Sequence, residues 1–345
     1  MSSELNPAEA QRYSRQMLFT PIGERGQRRL RLSKVTIVGC GALGSAVANI
    51  LARAGVGSLR IIDRDFIETN NLQRQSLFDE QDIASGLPKA EAAARKLSRI
   101  NSAIEVEGFV CDVNSTNVEE LCGDTDLILD GADNLELRYL INDLAIQREI
   151  PWVYGACVAS EGRVMAVMPG KTACLRCVFP TPPATGELET CDTAGVIASI
   201  VEMVAALQAA EAMKIMIGRP EDLMSGLVML DAWRGRMRTL AVSREPDCPC
   251  CMQRNFEFLN HRGGGSALLC GRNAVQVSPA RPGLVDFKSI VSRLKIDARP
   301  VANQYMLRFQ ADGYAVTLFT DGRAIIQGTS DPNVARGVYA RFIGT

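Results

Sequence analysis

Two kinds of apolar pattern take turns along the chain. Residues 34–39 (KVTIVG), 58–63 (SLRIID), 105–110 (EVEGFV) and 125–133 (TDLILDGAD) are short apolar runs. Such β-branched runs mark strands buried on both faces of a parallel sheet. Segments of helical period lie between them: 45–55 (SAVANILARAG), closed by Gly55, then 90–101 (AEAAARKLSRIN), begun by Lys89, then 135–147. Glycine after the last periodic residue is a helix stop. Further helices are expected at 8–17 and 23–32, and strands at 151–159 (PWVYGACVA) and 161–170 (EGRVMAVMPG). Strands alternating with helices predict an α/β fold. It is a doubly wound, mostly parallel sheet with a Rossmann-like first half.

The pattern changes after Cys251. HRGGGS at 261–266 reads as a flexible linker, and the expected boundaries are a first domain at 1–255, a linker at 256–266 and a small α+β domain at 267–345. That last part is read as β-α-β-β-β-α: strand 273–277, helix 286–294, strands 305–310, 314–320 and 323–328, and helix 332–344. Asp-Gly at 312–313 and 321–322 supplies turns between strands.

Composition narrows the class. The 345 residues are 47% hydrophobic and 22% charged with net charge −1, so nothing global favours nucleic acid or a membrane surface. The longest apolar run, 194–218, contains Glu202, Glu211 and Lys214, which fits a buried or dimer-facing helix better than a membrane span. The polar N-terminus shows no signal peptide, and a cytoplasmic location is expected. Eleven cysteines, an odd number, argue against a full disulfide framework in such a chain. The one histidine, His261, lies in the glycine-rich stretch, so any catalysis must rest on Arg, Lys, Asp and Cys.

Candidate chemistry begins at Gly39, Gly41 and Gly44, a G-x-G-x-x-G with Ala42 and Leu43 inside it, between a strand and a helix. Glycines there let backbone N–H groups approach phosphate at a helix N-terminus. The plain alternative is a tight packing turn. Asp63 ends the second strand, where an acid can accept from ribose hydroxyls, and here NAD and ATP fit equally. NLQRQSLF at 71–78 favours ATP: Arg74 can fork onto phosphate, Asn71 and Gln75 are neutral donors, and Lys89 adds a charge. Such groups stabilise negative charge in nucleotidyl transfer, and Asp133 offers Mg²⁺ a carboxylate. Ordinary surface charges around a dinucleotide site are the rival reading.

Cys174 and Cys177 form one C-x-x-C, and Cys248 and Cys251 form another with Cys250 inside it, which leaves its register open. Two such pairs can supply four thiolates to structural Zn²⁺; a redox C-x-x-C is the alternative. Cys191 (ETCDTAGV) precedes the long apolar helix and is a candidate nucleophile, or else a partly buried structural thiol. Cys40, Cys111, Cys122, Cys157 and Cys270 read as small core or near-surface residues.

Taken together, GCGALG, D-x-D at 63–65, NLQRQ, GLPK, DGADN at 130–134 and RYSRQ at 12–16 resemble one family. It comprises the adenylyltransferases that activate sulfur-carrier proteins, the MoeB/ThiF type, relatives of ubiquitin-activating enzymes. The resemblance covers about residues 8–251, with a C-terminal extension as in the longer bacterial members. It implies that the glycine turn and Asp63 bind ATP, Arg74 and Lys89 contact its phosphates, and Asp133 serves Mg²⁺. It implies the same four cysteines for Zn²⁺ and a covalent link through Cys191. It also implies a homodimer in which Arg15 reaches the neighbouring subunit's nucleotide, although the residues alone fit Arg15 equally to a solvated helix face.

The implied reaction is ATP-dependent adenylation of the C-terminal Gly-Gly carboxylate of a ubiquitin-like sulfur carrier, with release of pyrophosphate. A carboxylate is already a nucleophile at neutral pH, so no general base is needed. Sulfur would follow from a persulfide donor, a cysteine desulfurase or sulfurtransferase, or through Cys191. The thiocarboxylate would feed molybdopterin or thiamine synthesis. The alternatives are a relative that adenylates a small molecule or tRNA base, an NAD-dependent oxidoreductase and a non-catalytic carrier-binding scaffold. Residues 267–345 hold one cysteine, Cys270, and lack the cysteine loop of the sulfurtransferase domain that the family often carries there. Sulfur is therefore expected from another protein, and carrier docking or dimer contacts are expected of this region.

Overall fold

The apolar run after Ser33 becomes a central strand. A computed structural model describes residues 4–183, 189–260, 267–269, 273–279, 284–294 and 298–344. They divide into two units, Met1–His261 and Arg262–Thr345. The first unit begins with α1 (Pro7–Arg12), α2 (Ser14–Met17), α3 (Gly23–Leu32), β1 (Lys34–Val38), α4 (Ala42–Ala54) and β2 (Ser58–Ile62). It continues through α5 (Glu80–Ser85), α6 (Lys89–Ile100), β3 (Glu105–Phe109), α7 (Val118–Cys122), β4 (Leu127–Asp130), α8 (Leu135–Arg148), β5 (Trp152–Val158) and β6 (Glu161–Val167). It ends with α9 (Leu175–Val178), α10 (Cys191–Ala194), α11 (Ala198–Met216), β7 (Leu227–Asp231), β8 (Arg236–Leu240) and α12 (Glu257–Asn260).

These strands form one eight-stranded sheet in the order β3-β2-β1-β4-β5-β6-β7-β8. The pairs from β3 to β5 are parallel and those from β5 to β8 antiparallel. This is the doubly wound sheet that the pattern predicts. Alternation of side chains sorts the core into two layers. Val35, Ile37, Leu127 and Leu129 pack with Leu51, Ile200 and Val204, from α4 and α11. Val38, Ile128 and Trp152 pack with Tyr139 and Leu144 of α8. Strand order reverses between β1 and β4, where Val38 pairs with both Ile62 and Asp130. A crevice at the carboxyl ends of such strands is where this topology binds ligands.

Several elements depart from the pattern. The helix expected over 8–17 breaks at Tyr13, whose ring is buried against Gly55 and whose hydroxyl accepts from Asn101 Nδ2 at 2.8 Å. The long apolar run forms α11, buried along one side against the sheet and α4. Its buried Glu211 is satisfied by Lys214 and the Met224 N–H. Among the described residues no helix is long and apolar enough to cross a membrane. Residues 256–260, expected in a linker, carry the buried Phe256 and α12, which packs on α8. The glycine-rich stretch 261–266 and Cys270 lie outside the described residues.

The second unit holds β9 (Ala267–Leu269), β10 (Ala274–Val277), α13 (Phe287–Val291), β11 (Val301–Ala302), β12 (Met306–Ala311), β13 (Tyr314–Phe319), β14 (Ala324–Gln327) and α14 (Pro332–Phe342). Its sheet runs β11-β12-β13-β14-β10-β9 and is antiparallel. The short β9 and β11 extend the expected β-α-β-β-β-α order. Asp312 and Gly313 turn between β12 and β13 with φ of 51° and 85°, the conformation a two-residue hairpin needs. Val275, Leu307, Leu318 and Ile326 of this sheet form a core with Ala335 and Val338 of α14.

Candidate nucleotide site and cysteine cluster

The glycine turn connects β1 to α4, and its three glycines answer to different demands. Gly39 has φ of +91°, and a Cβ there would lie 2.4 Å from the Gly131 carbonyl oxygen. A Cβ on Gly44 would lie 1.8 Å from the Gly39 oxygen. Packing alone therefore requires both. Gly41 is different: the nearest atom to a Cβ there is Gln75 Nε2, at 3.9 Å. Its lack of a side chain leaves open space at the α4 N-terminus, where phosphate would approach. Gln75 is buried, and among the described residues its Oε1 has no hydrogen-bond partner.

Asp63 is joined directly to this turn. Its carboxylate accepts from the Cys40 N–H at 2.6 Å and from the Asp65 N–H at 2.7 Å. Burial pushes its pKa up, and the charge of Lys89 opposes the rise. Lys89, the first residue of α6, is buried with Nζ 3.5 Å from Asp65. Its backbone N–H donates to the Asp65 carbonyl at 2.9 Å, which fixes the start of α6 beside the β2 end. The loop 68–75 is held by Asn71, whose Oδ1 accepts from the Glu68 N–H and whose carbonyl accepts from the Arg74 and Gln75 N–H groups. Arg74 is half-buried and donates to the Asn70 carbonyl at 2.7 Å.

Beyond β4 the chain turns through Gly131 to Asp133, which is exposed and accepts from Asn134 Nδ2 at 3.2 Å. A buried ion pair supports this turn. Arg138 Nε is 3.0 Å from Asp130 Oδ2, and Arg138 Nη2 donates to the carbonyls of Ala132 and Gly155. The structure thus brings the glycine turn, Asp63, Lys89 and Gln75 together, with Asn71 and Arg74 in the same loop as Gln75. Asp133 stands at the adjacent strand end; the pKa of Arg64 is raised chiefly by Asp112 and Asp65 and that of Arg138 chiefly by Asp130, with Asp133 adding to both. Arg15 is not drawn into this group; it is exposed on α2, which packs on α1 and α3.

The cysteines with candidate chemistry resolve into two places. The sulfurs of Cys174, Cys177, Cys248 and Cys251 all lie within 4.8 Å of one another. Neighbouring pairs are 3.5–3.9 Å apart. Tetrahedral Zn–S bonds of about 2.3 Å place sulfurs about 3.8 Å apart, so this cluster fits the ion. A redox pair would not gather all four. The register is 248 and 251; Cys250 lies buried outside the four and accepts from Asn142 Nδ2 at 3.2 Å. Asn142 Oδ1 also accepts from the Leu175 N–H, so one amide of α8 ties both cysteine pairs to the core. Cys191 is elsewhere, exposed at the start of α10, and its Sγ donates to the Cys157 carbonyl at 3.1 Å.

Comparison with known proteins bears directly on this geometry. The ThiF family model matches residues 13–250. The chain belongs to the ThiF family. Among its relatives, the sulfur carrier protein ThiS adenylyltransferase of Bacillus subtilis is 43% identical over 337 residues, 96% of this chain and 99% of its own. The sulfur carrier protein adenylyltransferase of Thermus thermophilus is 38% identical over 248 residues, 70% of this chain and 91% of its own. The crystal structure of E. coli MccB with ATP superposes with a TM-score of 0.62 at 27% identity, covering 70% of this chain and 74% of MccB.

Within this ThiF fold, sequence reasoning missed Asp65, Gly131, Asp130 and Arg138. Asp65 and Gly131 lie inside the D-x-D and DGADN motifs, where no rule of spacing distinguishes them from their neighbours. The Asp130–Arg138 pair had one legible signal, an acid closing an apolar strand. No spacing rule points from there to the arginine in α8.

Proposed function

We propose that this protein adenylates the C-terminal glycine carboxylate of a ubiquitin-like sulfur carrier. The observation that carries the reading is Gly41, the one glycine of the turn that packing does not demand. Its open space faces Gln75, the preceding Cys40 N–H is held by Asp63, and the relative from Bacillus subtilis keeps its likeness over nearly the whole chain. In this reading phosphate lies on the backbone N–H groups of the turn and ribose on Asp63. Arg74 leaves its carbonyl partner for phosphate oxygens. Asp133 would hold Mg²⁺, whose charge offsets that developing on the leaving pyrophosphate. The chain's own contribution is positioning and charge, in keeping with a single histidine. The four-sulfur cluster would hold Zn²⁺ as a structural ion. A homodimer would let Arg15 act on a neighbouring site, and a persulfide donor would supply the sulfur for thiamine or molybdopterin synthesis.

ATP–pyrophosphate exchange tests this. The purified protein, Mg²⁺ and carriers ending in Gly-Gly should exchange label only when the carrier tail is intact. Exchange with truncated tails, or none with any carrier, would move the reading to a small-molecule adenylating relative. The residues named here for the chemistry precede residue 262, so a chain ending at residue 261 should still form the adenylate, while weaker carrier affinity or loss of the dimer would show the docking or dimer role expected of the C-terminal unit. Loss of exchange in a folded truncated chain would give the C-terminal unit a part in catalysis or docking.

A further inference from the structure

Cys157 is the next-to-last residue of β5, half-buried, and Cys191 is exposed at the start of α10. Two contacts fasten the second segment to the first. The Ala159 N–H donates to the Gly195 carbonyl at 2.8 Å, and the Ile197 N–H donates to the Ala159 carbonyl at 3.0 Å. Cys191 Sγ is thereby held against the Cys157 carbonyl at 3.1 Å. The Cys157 thiol itself donates to the Ile200 carbonyl at 3.8 Å, so it has to turn from that carbonyl to meet the sulfur held beside its own backbone. Neither thiol is in a disulfide, and the four-sulfur cluster uses neither.

We propose that Cys157 is the resolving thiol for Cys191, displacing a carrier thiocarboxylate from a mixed disulfide formed there. The identity of the carrier rests on the function proposed above; the pairing of the thiols does not. A persulfide donor passes its terminal sulfur to Cys191, giving a Cys191 persulfide and the donor's thiol. The persulfide sulfur attacks the acyl adenylate; the new C–S bond forms as the C–O bond to AMP breaks. The Cys157 thiolate, its proton lost to solvent, then attacks Cys191 Sγ. The bond between Sγ and the carrier's sulfur breaks, and its electron pair leaves with the thiocarboxylate. A Cys157–Cys191 disulfide remains, and a dithiol reductant restores both thiols by exchange.

The setting suits this order. Exposure lets Cys191 meet the donor first, while burial, and then the Cys191 charge, push the Cys157 thiol up to about 12. Once Cys191 is in a neutral disulfide its smaller part of that effect is gone, while burial, the larger cause, still slows the attack. A thiocarboxylate is a good leaving group, which speeds attack on the sulfur beside it.

The test needs no carrier at first. Wild type, Cys157→Ser and Cys157→Ala, each checked for folding by thermal unfolding, are treated with oxidised glutathione and mapped by mass spectrometry without reduction. Wild type should yield peptides linked through Cys157 and Cys191. Both variants should retain at least about tenfold more glutathione on Cys191. Equal retention in all three proteins would overturn the pairing. With ATP, carrier and a persulfide donor, the variants should accumulate a carrier adduct on Cys191 that dithiothreitol releases. Linked peptides in wild type without any such adduct in the variants would overturn the carrier step alone.

Discussion

Two glycines of one turn give opposite predictions, and the pair separates packing from ligand binding. In Gly44→Ala the new methyl falls 1.8 Å from the Gly39 oxygen and 2.8 Å from its carbon, with Ile37 at 3.4 Å on the other side. No rotamer relieves a Cβ, so the turn itself must move. Overpacking of this kind costs about 1–3 kcal/mol, and backbone against backbone belongs at or above the upper end. A loss of about 3 kcal/mol is a large share of a domain's roughly 5–15 kcal/mol and lowers Tm by roughly 6–12 °C. In Gly41→Ala the methyl meets only Gln75 Nε2 at 3.9 Å. Stability should stay within about 1 kcal/mol of wild type. The methyl instead fills the space that phosphate would take above the α4 N-terminus. ATP affinity should fall at least about tenfold, or about 1.4 kcal/mol. Urea unfolding and calorimetric ATP titration measure the two effects on the same protein. A Gly41→Ala protein that binds ATP as tightly as wild type would remove phosphate from this turn. One as unstable as Gly44→Ala would show that packing accounts for Gly41 as well.

The other predictions concern neighbouring groups. Arg138→Met leaves Asp130 buried without its partner and should cost about 3–5 kcal/mol in urea unfolding, whereas Asp133→Ala, an exposed site, should change stability by less than about 0.5 kcal/mol. The same Asp133→Ala protein should lose at least about a hundredfold in pyrophosphate exchange; survival of turnover would refute the Mg²⁺ role. Metal analysis should find one zinc per chain that Cys251→Ser or a strong chelator removes with a fall in Tm, and an unchanged Tm in the zinc-free protein would refute a structural ion. Asp79 is held below the usual carboxylate range by its hydrogen bond from Lys96. Its stabilisation is therefore complete above the unfolded-state value near pH 4 and fades as pH falls through the lower folded value. The stability gap between wild type and Asp79→Asn should close on the acid side only, and a gap independent of pH would refute the pairing.

Much of this was legible because period and position in the chain carry it. The runs at 34–39 and 58–63 are apolar on both faces since the sheet is covered on both sides, and that fixes parallel strands and the helices between them. The cysteine pairs were legible as ligands because spacing within each pair is local, and the two-residue spacing already favours Cys251 over Cys250; in the fold Cys250 stays outside the four and accepts from Asn142. The break at Tyr13 was not legible. Helical period continues through it, and the ring's burial depends on a glycine 42 positions away in sequence, Gly55. Strand β8 escaped because it is exposed along its whole length and has no apolar face to announce it; β7, a mostly buried apolar run, carries the same signal as β4.

The buried support of the site explains why its two halves must be read as one object. Gly39 and Gly131 each stand one residue past strands that pair in parallel, with Val38 opposite Asp130. Their backbones meet: a Cβ on Gly131 would lie 2.3 Å from the Gly39 oxygen and 2.9 Å from Gly44 Cα. The phosphate-binding turn and the turn that carries Asp133 therefore share one contact that admits no side chain from either. Arg138 fixes the second turn through Asp130 and the Ala132 carbonyl. Gln208 of α11 donates to the Asp130 carbonyl from the other face of the sheet. A substitution that opens either turn must move the other, so Gly131→Ala should weaken ATP binding although residue 131 offers the nucleotide no side chain. It should also cost stability as Gly44→Ala does, which distinguishes it from Gly41→Ala. A Gly131→Ala protein with wild-type stability and unaltered ATP affinity would mean that the two turns move independently, and Asp133 would then have to be placed by something other than this contact.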